Sequence, residues 1–169
     1  MSIANGTKYE RKFLAHFIDD TFGTGTTRNY KRLGKDLEEY TIEMNPDVDT
    51  KKNILGESSA NVKGYEPSGS VDTYYAYEGD ALFNQLYSII NNRSTGSALE
   101  TTVIDAVLEY GDGTITVANA YKEDVVVVPQ SIGGEDGVQI PFEIHYTGNR
   151  TTVSGTIDSS SGNFVISNG

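Results

Sequence analysis

Gly79-Asp80-Ala81-Leu82-Phe83-Asn84-Gln85-Leu86-Tyr87-Ser88-Ile89-Ile90-Asn91-Asn92-Arg93 is the one stretch of the chain with the apolar spacing of a surface helix. Leu82, Leu86 and Ile90 recur at every fourth position, and Phe83, Tyr87 and Ile89 widen the stripe, which predicts a helix over about 80–92 with one side against a core. Asp80 offers an N-cap carboxylate. Arg93 puts a cation at the C-terminal end, and Asn91-Asn92 followed by Ser94-Thr95-Gly96 stops the helix. One helix cannot bury such a stripe by itself. Leu82, Phe83, Leu86, Ile89 and Ile90 therefore need a sheet to pack on, and the segments on either side read as strands. The expected class is mainly β: two packed antiparallel sheets, sandwich- or barrel-like, flanked by this one helix in a single domain over 1–169.

Upstream of the helix, residues 1–12 carry few apolar groups and read as an extended arm, and Phe13–Ile18 is the first strand. Glu39–Asn45 alternates without a fault: Tyr40, Ile42 and Met44 share one face, and Glu39, Thr41, Glu43 and Asn45 the other. That is a half-wet strand with an acidic outer side, ended by Pro46. Asp47–Gly69 is too long and polar for an ordinary connection. Ile54 and Leu55 give it an apolar point of attachment, so a projecting hairpin or arm that docks on a neighbour is expected there. Val71–Tyr77 reads as an aromatic-rich strand leading to the helix.

Downstream, strands are predicted at 101–108, 115–118, 125–129, 138–146, 151–158 and 164–166. Gly111-Asp112-Gly113 and Gly148-Asn149 are the expected turns. The unbroken Val125–Val128 run predicts burial on both faces, and Pro141 a sheet edge or bulge.

The chain has 169 residues and no cysteine, so disulfides and thiolate metal sites are excluded. No apolar run is long enough to span a membrane. Met1–Gly6 lacks a secretory pattern, which predicts synthesis and retention in a cytoplasm. Net charge is −11, unevenly placed: residues 1–35 hold seven basic and three acidic residues, +4, and residues 36–169 hold six and twenty-one, −15. An acidic body repels nucleic acid, and a basic front can meet the acidic body of another copy.

No catalytic constellation emerges. His16 and His145 sit in separate strands with no nucleophile at a useful spacing. Asp47-Val48-Asp49 begins like a calcium loop, but Lys52 stands where the turn glycine belongs and Ser58 where the bidentate Glu belongs. Gly23-Thr24-Gly25 lacks the lysine of a phosphate loop. Enzyme, cofactor and metal roles are therefore not expected. The remaining features are architectural: an arm, an overlong loop, a two-faced strand and segregated charge, the parts of a repeating polymer with a polar channel.

From Tyr30 to Asn92 the sequence resembles the major tail tube proteins of long-tailed, siphovirus-type bacteriophages. The likeness lies in Tyr30-Lys31-Arg32-Leu33-Gly34-Lys35, Tyr40 to Pro46, Asn53-Ile54-Leu55-Gly56-Glu57, Val62-Lys63-Gly64-Tyr65-Glu66-Pro67-Ser68, and Glu78-Gly79-Asp80 ahead of the helix. The resemblance implies six copies in a ring, rings stacked into a hollow tube, and sheets joined around a lumen. The arm, with Arg11 and Lys12, and the 47–69 loop, with Lys51, Lys52, Ile54 and Leu55, would bridge subunits. Glu39, Thr41, Glu43 and Asp72 would face the lumen, where DNA passes without specific binding.

Partners implied in the same way are identical copies, a tape-measure protein and tail initiator and terminator proteins, with no membrane. The location implied is the virion tail, assembled in the cytoplasm of a bacterial host. Two other readings are carried: a tube subunit of a phage-derived bacteriocin or injection particle, and a β-sandwich adhesin or carbohydrate-binding module using Tyr74, Tyr75 and Tyr77.

Overall fold

The computed structural model describes residues 6–168. In chain order the strands are β1 (Leu14–Asp19), β2 (Tyr30–Leu33), β3 (Ile42–Glu43), β4 (Pro46–Lys52), β5 (Ser58–Tyr65) and β6 (Ser68–Val71). The helix α1 (Ala81–Asn92) follows, and then β7 (Glu100–Gly111), β8 (Thr114–Pro129), β9 (Phe142–Thr152), β10 (Gly155–Ile157) and β11 (Phe164–Ile166). Nine strands form one antiparallel sheet in the order β10-β11-β2-β1-β7-β8-β9-β6-β3, and β4-β5 is a separate hairpin. The two packed sheets expected from the sequence are thus largely one sheet that curls on itself. The Val153 N–H donates to Ala120 O at 3.0 Å, which lays the β9–β10 link along the first half of β8.

The curled sheet supports two cores, one on each face. Phe17, Tyr30, Ile104, Ala106, Leu108 and Phe164 fill the inside of the curl. Ile18, Val103, Val125, Val127 and Ile144 point the other way, into a second core that takes in Leu82 and Leu86 of α1. Adjacent residues of β1 therefore serve different cores, as strand alternation requires. Burying each leucine of α1 contributes about 1.5–3 kcal/mol. Ile89 is buried with them, and Phe83 and Ile90 pack half-buried at the rim. Tyr87, expected in the stripe, is exposed and stacks on the Phe83 ring at 6.3 Å.

The start of α1 is fixed to the sheet by one carboxylate. Asp80 accepts from Leu82 N–H at 3.1 Å, Lys31 Nζ at 2.6 Å and the Tyr74 hydroxyl at 2.7 Å. Arg93 ends the helix in the left-handed region.

Several sequence expectations need correction. The 39–45 strand shrinks to Ile42–Glu43, because Asn45 turns the backbone at φ 42°. Pro46 then starts a strand rather than ending one, and Met44 is exposed. The 71–77 strand stops at Val71; beyond it only Tyr75 bridges to Gln139. Segments 115–118 and 125–129 are one strand of 16 residues, continuous through the polar residues 119–124. In the valine run, only Val125 and Val127 are deeply buried. β9 begins after Pro141, which has no N–H for the ladder. Gly148-Asn149 is not a turn but a bulge within β9, with φ 122° and 55°, held by Asn149 Nδ2 to Asp124 Oδ2 at 2.7 Å. The predicted 151–158 strand is accordingly split between the end of β9 and β10. The Asp112-Gly113 turn joins β7 to β8 with both residues at positive φ, as a two-residue hairpin demands.

Leu86→Ala should lower the unfolding free energy by about 2–5 kcal/mol. Tyr87→Ala, one position on, should cost no more than about 1 kcal/mol in the same urea titration. A pH effect should also be visible at Asp80. Burial pushes its carboxyl up, but the Lys31 and Tyr74 bonds, the Lys31 charge and the Leu82 N–H outweigh burial and hold it below the usual value. Its stabilisation is therefore present above the unfolded-chain value of about 3.9 and lost as pH falls through the lower folded one. The stability gap between wild type and Asp80→Asn should be widest near neutrality and narrow in acid; a gap independent of pH would contradict this assignment.

Candidate functional site

Strand register assembles one acidic face at the β3 edge. Glu43 lies opposite Ser68, Ser68 opposite His145, and His145 opposite Val126. Two pairs along, on the same face, Ser70 faces Glu143, and Glu143 faces Val128. Alternation sends these side chains to the side away from Ile42, Val71, Phe142, Ile144, Val125 and Val127, which supply the core under α1. Glu39, Thr41, Glu43 and Asp72 come together with Glu143, Ser68 and Ser70 around an open concavity of about 330 Å³.

Cations on this face are few. His145 Nε2 sits 3.0 Å from Glu143 Oε2, while Thr41 and Ser70 hydroxyls donate to Glu39 and Asp72. Glu143 was not singled out from the sequence, and His145 was weighed there only as a catalytic candidate, although the 142–146 alternation of Phe, Glu, Ile, His and Tyr would have placed both on the wet side.

The 47–69 segment contains the β4–β5 hairpin. Its turn is built by Asn53, whose Oδ1 accepts from the Leu55 and Glu57 N–H groups at 3.0 Å each and whose backbone N–H donates to Glu57 O. At that tip Ile54 is fully exposed and Leu55 nearly so. Asp49 lies within 4 Å of both Lys51 and Lys63 on one face of the ribbon. Val48 and Val62 stand opposite each other, also exposed. Lys52 lies opposite Ser58 at the tip end of the ladder.

Arg11 and Lys12 of the arm are engaged within the chain. Arg11 donates to Leu14 O at 2.6 Å and Tyr40 O at 2.9 Å from a short 3-10 turn, Arg11–Phe13. Lys12 pairs with Glu10 at 2.7 Å and lies over the Phe13 and Tyr110 rings. Residues 6–10 are exposed, and the first five residues of the expected arm lie outside the described residues.

A buried polar network joins the sheet behind the acidic face. His16 Nδ1 meets Asp105 Oδ1 at 2.5 Å, Tyr146 donates to Asp105 Oδ2 at 3.1 Å, and the Tyr40 and Tyr146 hydroxyls are 3.1 Å apart. Burial, and for Tyr146 the Asp105 charge as well, push both phenols well above their usual value. They stay neutral donors at any physiological pH. Among the described residues no serine or threonine hydroxyl bonds to His16, whose partner is Asp105. Among the described residues no group of acids and histidines is arranged to hold a metal ion, and no helix is long and apolar enough to cross a membrane.

The tyrosines of a possible glycan platform do not converge. Tyr74 is buried against Phe142 and bonded to Asp80. Tyr77 is exposed but carries Lys35 Nζ over its ring at 3.5 Å, and its hydroxyl bonds to Asp36.

The fold has counterparts among solved structures. The chain is similar to the cap that terminates the tube of the anti-feeding prophage, with a TM-score of 0.53 at 12% identity, covering 91% of this chain and 96% of that one. It is also similar to the sheath/tube terminator of an extracellular contractile injection system, PVC, in its extended state, with a TM-score of 0.54 at 7% identity over 88% and 99% of the two chains. A chain of the PVC sheath–tube complex gives 0.53 at 9% identity over 89% and 96%. No protein-family model and no curated protein sequence matches the chain. The shared feature is the fold, and it extends over nearly the whole of each partner.

Replacing both tip residues, Ile54→Ser with Leu55→Ser, should leave the stability of the isolated chain within about 0.5 kcal/mol, because neither side chain is buried in it. A loss above about 1 kcal/mol in thermal or urea unfolding would mean that the tip folds back onto its own domain.

Proposed function

We propose that this chain is a structural subunit of a phage-tail-like tube, assembling with identical copies into stacked hexameric rings around a polar bore. The observation that carries this reading is the pairing of one fully covered sheet face with one open acidic face at a short free edge, continued by a hairpin with a bare apolar tip. An open edge strand is satisfied when sheets from successive copies join. Closure of many such sheets gives a barrel whose inner wall is one face of each. The similarity in fold to tube-terminating and sheath–tube proteins of injection systems supports the class of particle.

In that arrangement Glu39, Glu43, Asp72 and Glu143 line the bore and repel DNA phosphates, so that cargo slides without adhering. The hairpin, together with the basic first third of the chain, links subunits. A tape-measure protein and initiator and terminator proteins would be the heterologous partners, and the particle is a phage tail or a phage-derived injection device. A second reading is favoured by two of the structural neighbours: a terminator that caps a tube as one ring rather than extending it.

Negative-stain microscopy of the concentrated, purified protein at moderate salt, where screening reduces repulsion between copies, separates these readings. Tubes of indefinite length with a stain-filled bore are expected. Closed single rings would favour the terminator, and a monomer under all conditions would remove both. In a particle that delivers DNA, Glu39→Lys with Glu43→Lys should leave tubes intact and slow delivery; unchanged ejection kinetics would exclude these residues from the bore.

A further inference from the structure

β1 is buried along its whole length except at Leu14, which is 44% exposed. Leu14 forms one wall of a groove of about 230 Å³ with Ile42, Met44, Val107 and Tyr121. Met44 is 45% exposed and Tyr121 37%, so three sizeable apolar side chains face solvent around one depression. Two carboxylates lie in the groove, both largely buried. Asp105 is satisfied by His16 and Tyr146. Among the described residues Glu123 has only Arg150, whose Nε is 3.9 Å away while its guanidinium lies over the Tyr121 ring. That distance is well beyond the roughly 2.7–2.9 Å of a charge-assisted hydrogen bond. Burial also pushes the Glu123 carboxyl above its usual value. The groove is thus apolar, with one under-compensated negative charge.

We propose that this groove receives the hairpin tip, Lys51–Leu55, of a second copy of the chain. The chemistry is complementary: Ile54 and Leu55 supply the apolar pair, and Lys52, which makes no ion pair among the described residues, supplies a cation for Glu123. The tip is pre-shaped by the Asn53 bonds, which reduces the ordering cost of docking.

A chain cannot fill its own groove. Met44 and Pro67, at the base of the hairpin, border the groove, and the seven-residue β4 carries the tip about 23 Å away. The contact is therefore between different patches of successive copies. Such a head-to-tail contact closes into a ring or propagates as a filament. The inference rests on the tube reading above and adds the receiving surface to it.

The absence of cysteine from the chain makes disulfide trapping clean. Leu55→Cys combined with Met44→Cys, oxidised after assembly, should give a ladder of covalent multimers on a non-reducing gel. Leu55→Cys alone should give at most dimers. Leu55→Cys with Val165→Cys, an exposed apolar position on β11, should give no ladder. Leu55→Cys with Leu14→Cys repeats the test from the opposite wall, should the first pair fold poorly by circular dichroism.

Independently, Glu123→Lys should raise the critical concentration for assembly about tenfold, equivalent to about 1.4 kcal/mol, and adding Lys52→Glu should restore it. Tubes that form without a ladder from either groove pair, or a ladder from the Val165 control, would overturn the groove assignment and leave the tube reading intact. Failure of the wild-type chain to form any ring or tube would overturn both.

Discussion

Strand alternation across a single curled sheet is the constraint on which the rest of the molecule depends. Phe17 and Ile18 are neighbours in sequence and belong to different cores, and so are Val103 and Ile104. A one-residue slip of β1 against β7 would send the side chains of β1 to the wrong cores and turn His16 away from Asp105 and Tyr40. The helix cannot then be an optional addition. It covers the face opposite the acidic one, and without Leu82 and Leu86 that face would lie open as well.

The wet face exists because the same alternation continues to the β3 edge, where one side is used by the helix core and the other has nothing to cover it. Gly69 shows how tightly this edge is built: a Cβ there would lie about 2.5 Å from the Tyr40 hydroxyl oxygen, so the Tyr40 ring rests directly on the β6 backbone. Tyr40 in turn reaches the His16–Asp105–Tyr146 network through Tyr146. The position of Glu39, Thr41 and Glu43 is therefore set by a buried phenol beneath them rather than by their own contacts. That arrangement leaves the acids free to point outward as a group.

Much of this was legible in the sequence where a pattern was local. The α1 stripe, its Asp80 cap, the Asp112-Gly113 turn and the outward set of Glu39, Thr41 and Glu43 all follow from spacing within a few residues. What could not be read is non-local. Segments 115–118 and 125–129 looked like two strands because Asn119, Lys122, Glu123 and Asp124 interrupt the apolar pattern, yet β8 runs through them on the strength of its pairing with β7 and β9. Gly148-Asn149 has turn composition and is used as a bulge, because Asp124 across the ladder holds it. Tyr87 has helical spacing but falls just outside the buried arc. Glu143 entered the acidic face only through its register with Ser70.

A net charge of −11 sets the terms on which such a chain can associate with itself. Screening at physiological salt extends over about 8 Å, so carboxylates farther apart than that scarcely interact, while those brought face to face in a contact repel strongly. Copies can pack closely only if the acids are collected where no contact forms and the contacts are short-ranged and apolar. The fold separates the two: Glu39, Glu43, Asp72 and Glu143 share one concavity, while the exposed apolar groups Ile54, Leu55, Leu14, Met44 and Tyr121 sit on the hairpin tip and around the groove. In the proposed tube, the same segregation that keeps the bore from gripping phosphate also keeps the subunits from driving one another apart.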